Sequence, residues 1–286
     1  MAFEVFLSVS MHNVRNLAKE ASNLQDSLHT KYIGKRVMWF RNLSSTQEYA
    51  RRWIATNGIL RSKGFVIISD SQRKGMGRNG NKWISPRGGI WLSVILSSVL
   101  HPSRCILFSY CASLAVSDAI ISCTGLNSRL KWPNDILIEG KKVSGILVDA
   151  SIDSDTIEHV IVGIGVNANV KAEQIETYLK DQPYPVTSIQ EKLGLSCDTL
   201  EMTRCILQSL DKHYTSMETE NSNSIIDIWK ERAEVLISKS VEISHGDHSY
   251  TAKVTALDDD GSLVVMRDDN TIEKIVSSEY RIRVID

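Results

Sequence analysis

Three separated stretches hold glycines, fixed cations, amides and indoles at spacings that suit chemistry at a phosphoryl centre. The first is Gly75-Met76-Gly77-Arg78-Asn79-Gly80-Asn81-Lys82-Trp83, continuing through Ser85-Pro86-Arg87-Gly88-Gly89. Its three early glycines free backbone amides to approach an anion, and the Arg78 fork can clamp a carboxylate or phosphate bidentately. The second is Lys131-Trp132-Pro133-Asn134-Asp135, followed by Lys141-Lys142 and Gly145. Lys142 offers the kind of point charge that neutralises a phosphoryl oxygen in a transition state. The third, Gly163-Ile164-Gly165-Val166-Asn167-Ala168-Asn169, permits close backbone approach beside two amides. Together they point to attack on the α-phosphate of a nucleotide, an adenylate-forming step.

Each stretch alone also has an ordinary structural reading. Glycine-rich runs make turns, Pro133-Asn134-Asp135 is good turn chemistry, Trp83 and Trp132 suit a core, and Lys142 suits a solvated hairpin. Ser45-Thr46-Gln47-Glu48 can orient a polar ligand, yet Ser-x-x-Glu is equally a helix capping box. Two nucleotide motifs are excluded. No Gly-x-x-x-x-Gly-Lys-Ser/Thr occurs, and the Gly75 loop does not open a helix as a dinucleotide fingerprint does. The seven histidines are scattered without metal-ligating spacing, so no protein-bound metal is expected.

In sequence order, Ser45-Thr46, Gln72, Gly75-x-Gly77-Arg78-x-Gly80, Lys82-Trp83-x-Ser85-Pro86, Lys131-Trp132-Pro133-Asn134-Asp135 with Lys142-x-x-Gly145, and Gly163-x-Gly165-x-Asn167 resemble the biotin–protein ligases. The motifs span residues 31–170. The resemblance implies an α+β fold like that of class II aminoacyl-tRNA synthetases, with a mixed sheet, helices and a small C-terminal all-β barrel. It implies biotin and ATP as substrates, magnesium accompanying the ATP, biotinyl-5′-AMP as intermediate, and a lysine of a biotin carboxyl carrier protein as acceptor. Carried over, Ser45, Thr46, Gln72, Gly75 and Gly77 would hold biotin. Arg78 would hold its carboxylate and the phosphate, Trp83 would stack on adenine, and Asn134 would contact the nucleotide. Lys142 would offset charge on the α-phosphate, Asp135 would orient the incoming lysine, and Gly145 and Asn167 would line the adenosine side. A homodimer is also expected. The pattern departs where relatives carry arginine at Met76 and Asn81 and asparagine at Gln47, with Arg73 or Lys74 as replacement cations.

Rival readings are a lipoate or octanoate ligase, a biotin-sensing transcriptional regulator, and a plain nucleotide-binding module. No Arg-Arg-x-Ser-Gly-Gly-Gly run is present to support the first. About 30 residues before Tyr32 leave no room for a winged helix, so no specific DNA binding is expected.

The supporting elements follow from periodicity. A helical extension is expected over 11–30 on Val14, Leu17, Ala21, Leu24 and Leu28, within an N-terminal segment 1–30. A catalytic domain is expected over 31–237 and the barrel over 238–286. Strands are expected at Val37–Phe40, Phe65–Ser69, Ile90–Leu96, Arg129–Trp132, Ile136–Glu139, Val143–Ala150 and Glu158–Asn167, with a Gly140-Lys141 hairpin turn. Helices are expected from Ser45 to Ala55, Ser103 to Ser122, and about 171–180, 188–193, 199–217 and 222–237. Five short strands between Ser240 and Ile285, separated by Asp- and Gly-rich turns, indicate the barrel.

Composition is that of an ordinary soluble chain: 286 residues, 42% hydrophobic and 23% charged. The net charge of -1 conceals a basic segment, since Lys31 to Arg87 holds 13 cations against Glu48 and Asp70. Such a surface suits an anionic ligand. Five cysteines without paired short spacing argue against disulfides and zinc and for a reducing cytoplasm. Met1 to Ser10 lacks a basic start, so no signal peptide is expected, and no apolar run reaches the ~18 residues of a membrane span.

Overall fold

A computed structural model describes residues 16–98, 100–176, 185–219, 223–233, 236–245, 248–258, 260–276 and 280–285. Helix α1 (Leu17–Ser27) starts at Asn16, whose side chain accepts from the Lys19 amide at 3.1 Å. It is shorter than expected: Leu28 is already extended, and residues 11–15, with Val14, lie outside the described residues. Ala21 and Leu24 are its buried face.

Strands β1 (Arg36–Phe40) and β2 (Phe65–Ser69) pair in parallel around α2 (Thr46–Asn57). The capping box forms, because the Ser45 side chain accepts from the Glu48 amide and Gly58 ends the helix at φ 74°. Strand β3 (Ile90–Leu96) follows, then α3 (Ile106–Thr124) behind a short turn at Pro102–Arg104. The segment Pro102–Thr124 is long and apolar enough to cross a membrane, contrary to the expectation. Most of its apolar stretch is nevertheless buried inside this fold, where α3 packs on the sheet.

Strands β4 (Arg129–Lys131), β5 (Asp135–Ile138), β6 (Lys141–Asp153) and β7 (Thr156–Val166) complete a seven-stranded mixed sheet of order β1-β2-β3-β7-β6-β5-β4. All its ladders except β1–β2 are antiparallel. The β5–β6 turn lies one residue earlier than expected, at Glu139-Gly140 (φ 49° and 73°), the pair of positive φ values a tight hairpin turn requires. Helices α4 (Ala172–Glu176), α5 (Ile189–Leu193), α6 (Thr199–Thr219) and α7 (Asn223–Arg232) follow. The expected continuation of α4 past 176 lies outside the described residues, as do 234–235 beyond α7, which ends at Arg232.

The last five strands are β8 (Ser240–His245), β9 (His248–Leu257), β10 (Leu263–Met266), β11 (Ile272–Ile275) and β12 (Arg281–Val284). They form one antiparallel sheet of order β11-β10-β9-β8-β12. Its edge strands share no backbone ladder among the described residues, but Tyr280 beside β12 donates to Glu273 of β11 at 3.5 Å.

Strand alternation sorts the large sheet into two faces. On β2, Val66 and Ile68 join α3 and α6 in the main core, while Phe65 and Ile67 pack with Ala50 and Trp53 of α2. On β3 and β7, Leu92, Val94, Val162 and Ile164 take the main core. The opposite face carries Ser93, Gly163 and Gly165. Small residues there leave the layer between sheet and α2 unfilled, and this gap is the cleft.

Candidate functional site

The cleft floor consists of two cross-strand rows. Trp91, Gly165 and Gly145 lie side by side on β3, β7 and β6, and Ser93, Gly163 and Leu147 form the next row. Above them lies a cavity of about 700 Å³. The end of β1 and start of α2 supply Ser45, Thr46 and Gln47, the loop before β3 supplies Gln72, Gly77, Arg78 and Trp83, and the β4–β5 loop supplies Asn134 and Asp135. Lys142 and Gly145 come from β6, and Tyr280 and Ile282 of the C-terminal sheet close one side.

Most of the residues expected from the sequence therefore converge, from segments up to about a hundred positions apart. Gly75 instead lines an adjoining groove with Arg73 and Lys74. A side chain at Gly75 would place a Cβ 2.2 Å from the Trp83 carbonyl oxygen, which explains the glycine. Asn167 is not among the cleft residues, which corrects the expectation. It is buried beyond the end of β7, where its amide nitrogen donates to the Thr187 carbonyl at 3.1 Å and knits the strand to the segment before α5. Asn169 plays a similar part with Cys197, donating at 2.8 Å and accepting at 2.9 Å.

The glycine loop also differs from a free amide cradle. The Gly77 amide donates to the Asn81 carbonyl at 2.8 Å and the Trp83 amide to the Gly75 carbonyl at 2.9 Å, so the loop is its own small hairpin. What it presents to the cleft is the Arg78 side chain. One guanidinium nitrogen donates to Asn134 Oδ1 at 3.1 Å, and the buried Nη2 has no hydrogen-bond partner. Burial lowers the Arg78 pKa, partly countered by the charge on Asp135. An unpaired, half-desolvated guanidinium facing a cavity is a ready anion contact. Asn134 is fixed in turn, since its amide nitrogen donates to the Ile146 carbonyl at 2.8 Å.

Lys142 forms an ion pair with Asp135 at 2.6 Å and stands 5.1 Å from the Trp83 ring. The solvated-hairpin reading of Lys142 is thereby displaced, because its side chain is only 12% exposed. The Trp83 indole lies over the first floor row. Cβ atoms at Gly165 and Gly145 would approach it to 2.5 and 2.9 Å, so both glycines are needed for its seat. Trp132 takes the core reading: it is buried and donates to the Gly261 carbonyl at 3.0 Å. The Trp132-Pro133 peptide is cis.

At the other end, Thr46 donates its amide to Gln72 Oε1 at 2.8 Å, and Gln72 Nε2 donates to Ser85 Oγ at 2.9 Å. Ser45 serves as helix cap and cleft wall at once. Sequence reasoning named Gln47 and Lys131 without giving either a role and passed over Ser93, yet all three line the cleft. A lone serine inside the apolar run Ile90–Leu96 was the available signal. Arg73 and Lys74 line only the adjoining groove, and Lys82 and Lys131 are the additional cations at the cleft itself.

Among the described residues no group of three or more His, Cys, Asp or Glu could hold a metal, and Asp135 is the only carboxylate on the cleft. No cysteine lines the cleft among the described residues, and burial pushes Cys105 up to about 11 and Cys205 up to about 12.

Comparison with known proteins bears on this geometry. The family model described as "Biotin/lipoate A/B protein ligase family" matches residues 39–167. The "Bifunctional ligase/repressor BirA" of Bacillus subtilis (strain 168) is 30% identical over 262 residues, covering 91% of this chain and 78% of that protein. The chain belongs to the biotin/lipoate A/B protein ligase family. Another relative of this family member, the "Biotin--[acetyl-CoA-carboxylase] ligase" of Paracoccus denitrificans, is 28% identical across 70% of this chain and 82% of its own. Among solved structures, the biotin protein ligase from Aquifex aeolicus in complex with biotin and ATP superposes with TM-score 0.71 at 27% identity, covering 88% of this chain and 100% of that one. The α+β architecture expected from the motifs is thus that of the ligase family.

Proposed function

We infer that the protein is an ATP-dependent biotin–protein ligase, which makes biotinyl-5′-AMP and passes the biotinyl group to a carrier lysine. The observation that carries this reading is one cleft shared by a polar pocket (Ser45, Thr46, Gln72) and a cationic pair (Arg78, Lys142), in a chain similar to a ligase crystallised with biotin and ATP. The biotin carboxylate attacks the α-phosphorus, the bond to the bridging oxygen breaks, and pyrophosphate leaves. Arg78 holds the carboxylate and an α-phosphate oxygen, and Lys142 offsets the charge that grows there. Drawing Lys142 toward phosphate loosens its pair with Asp135, which is then free to orient an incoming lysine. The neutral amine attacks the anhydride carbonyl, an amide forms, AMP leaves, and the amine's extra proton passes to a base or water. Trp83 supplies an indole for adenine to stack on, and Asn134 positions Arg78 and the nucleotide.

Asp135 alone cannot cage a cation, so magnesium enters with the triphosphate and no step is assigned to it. The acceptor is a biotin carboxyl carrier protein, the class named by the acetyl-CoA-carboxylase ligase relative. Residues 31–237 form the ligase domain, 238–286 a second β unit walling the cleft, and 1–30 an extension. A cytoplasmic homodimer without operator binding completes the proposal. The deciding experiment incubates a carrier domain with this protein, magnesium ATP, and either biotin, lipoate or octanoate. A mass gain of one biotinyl group, and none with the other acids, is expected; acylation by lipoate or octanoate instead overturns the assignment.

A further inference from the structure

Two Asn-Gly pairs occur in the chain, Asn57-Gly58 and Asn79-Gly80. Such a pair is open to attack from within, because no Cβ on the glycine shields its amide nitrogen. That nitrogen reaches the side-chain carbonyl carbon of the asparagine and closes a five-membered ring. The fold treats the two pairs in opposite ways.

Asn57 ends α2, and Gly58 caps it. The Asn57 side-chain nitrogen donates to the Trp53 carbonyl at 3.0 Å, and the Gly58 amide donates to the Ile54 carbonyl at 2.8 Å. Both reacting groups are thus tied to the last turn of a helix, which must open before a ring can close.

Asn79 and Gly80 form the tip of the small hairpin that carries Arg78 into the cleft. Met76 and Lys82 are bridged across it, and the Asn81 amide donates to the Arg78 carbonyl at 3.0 Å. Positive φ at both tip residues, 52° and 72°, is the geometry that Asn-Gly favours in a tight hairpin turn. Both residues are exposed, and no atom stands within 4 Å of the place a Gly80 side chain would occupy. The Asn79 side chain makes no hydrogen bond among the described residues. Turning its ψ away from 38° to bring the two groups together disturbs one turn rather than a helix. Arg78 and Lys82 flank the tip in sequence, and positive charge there favours the amide anion that attacks.

We propose that Asn79 is a site of spontaneous conversion to an acidic residue, and that this modification weakens the anion contact of Arg78. The Gly80 nitrogen bonds to Asn79 Cγ, and ammonia leaves with the Gly80 amide proton, giving a cyclic imide. Water then opens the ring at one of its two carbonyls. Opening at Cγ gives aspartate. Opening at the main-chain carbonyl gives isoaspartate, whose extra backbone carbon no longer fits the turn. Either product sets a carboxylate on the cleft wall next to Arg78, where Asn79 already lies. The buried, unpaired Nη2 of that guanidinium then has a resident anion competing with any phosphate. The conversion does not depend on the ligase reading; its effect on catalysis does.

The test holds folded protein in mildly alkaline buffer, samples it over time and reads both pairs by mass spectrometry of a digest, beside a sample kept in denaturant. The folded protein should convert Asn79 at least about tenfold faster than Asn57, whereas the denatured chain should convert the two at similar rates. Conversion of Asn57 as fast as Asn79 in the folded protein overturns the proposal. So does an Asn79 that stays intact in the folded protein while the denatured chain reacts. The effect on Arg78 is read on the modified species, separated by its added negative charge, and on Asn79→Asp. Both should raise KM for biotin and ATP in pyrophosphate exchange by about three- to tenfold, with the thermal midpoint little changed. Parent KM values in both refute that effect. Exchange that does not depend on biotin removes the ligase reading and leaves the modification standing.

Discussion

At the scale of single residues, the site separates charges from seats. Lys142 and Arg78 carry the charges, and their value comes from being only partly solvated in a shared cleft. Lys142→Ala is expected to lower biotin-dependent pyrophosphate exchange by about 10²–10³-fold, with the thermal midpoint little changed. Exchange at the parent rate would refute the role given to that lysine. Gly145 and Gly165 are seats, because the Trp83 indole rests where their side chains would be. Gly165→Ala should lift the ring off the floor, alter its fluorescence and raise KM for ATP by about tenfold or more. Parallel rises in KM for biotin and ATP would argue instead for a general disturbance of the sheet.

At the scale of elements, two carboxylates on or facing α6 tie the helices to the rest of the fold. Asp211 accepts the backbone amides of Lys31, Tyr32 and Ile33 at 2.7, 2.7 and 2.8 Å, anchoring the segment that follows α1. Asp211→Ala strands those donors, one of them fully buried, and should cost about 2–4 kcal/mol in a denaturant titration. Asp118 of α3 accepts from Ser209 at 2.6 Å and His213 at 2.8 Å on α6, and pairs with Arg232 of α7. Burial opposes its ionisation, but hydrogen bonds from His213, Arg232 and Ser209 outweigh it and hold the carboxyl well below the usual range. A carboxyl depressed in the folded state contributes stability above its unfolded pKa of about 4 and loses it as the pH falls further. Asp118→Asn should therefore be less stable at pH 7 and flatter with pH below about 4 than the parent. Identical pH profiles for the two proteins would show that the junction does not depend on the charge.

At the scale of the whole molecule, the C-terminal sheet is part of the site rather than an appendage. The Gly261 carbonyl accepts from both Tyr110 of α3 and Trp132, each at 3.0 Å, and so holds the loop that presents Asn134 and Asp135. Tyr280 and Ile282 add a wall to the cleft. A chain ending at residue 237 should keep much of its helical circular dichroism yet exchange pyrophosphate at least about tenfold more slowly, because two buried donors lose their acceptor. Full exchange by the shortened chain would make that sheet dispensable for chemistry.

Local rules sufficed for much of this protein. The bounds of β2 and β3, the Ser45 cap and the five C-terminal strands follow from periodicity and turn residues, which act over a few positions. The motif residues around Arg78, Asn134, Asp135 and Lys142 were legible as chemistry because glycine, arginine and lysine at such spacing have few structural uses in combination. The tertiary structure alone decided which of them meet. Asn167 looked like a ligand contact but lies off the cleft with its amide nitrogen given to the Thr187 carbonyl, and the Gly77 and Trp83 amides are spent within their own loop. Ser93 and Gln47 reach Thr46, Asp149 and Ile161 only because α2, β3, β6 and β7 are brought together. A sequence lists which groups can donate or accept. The fold settles which are already satisfied, and only what is left over can bind a substrate.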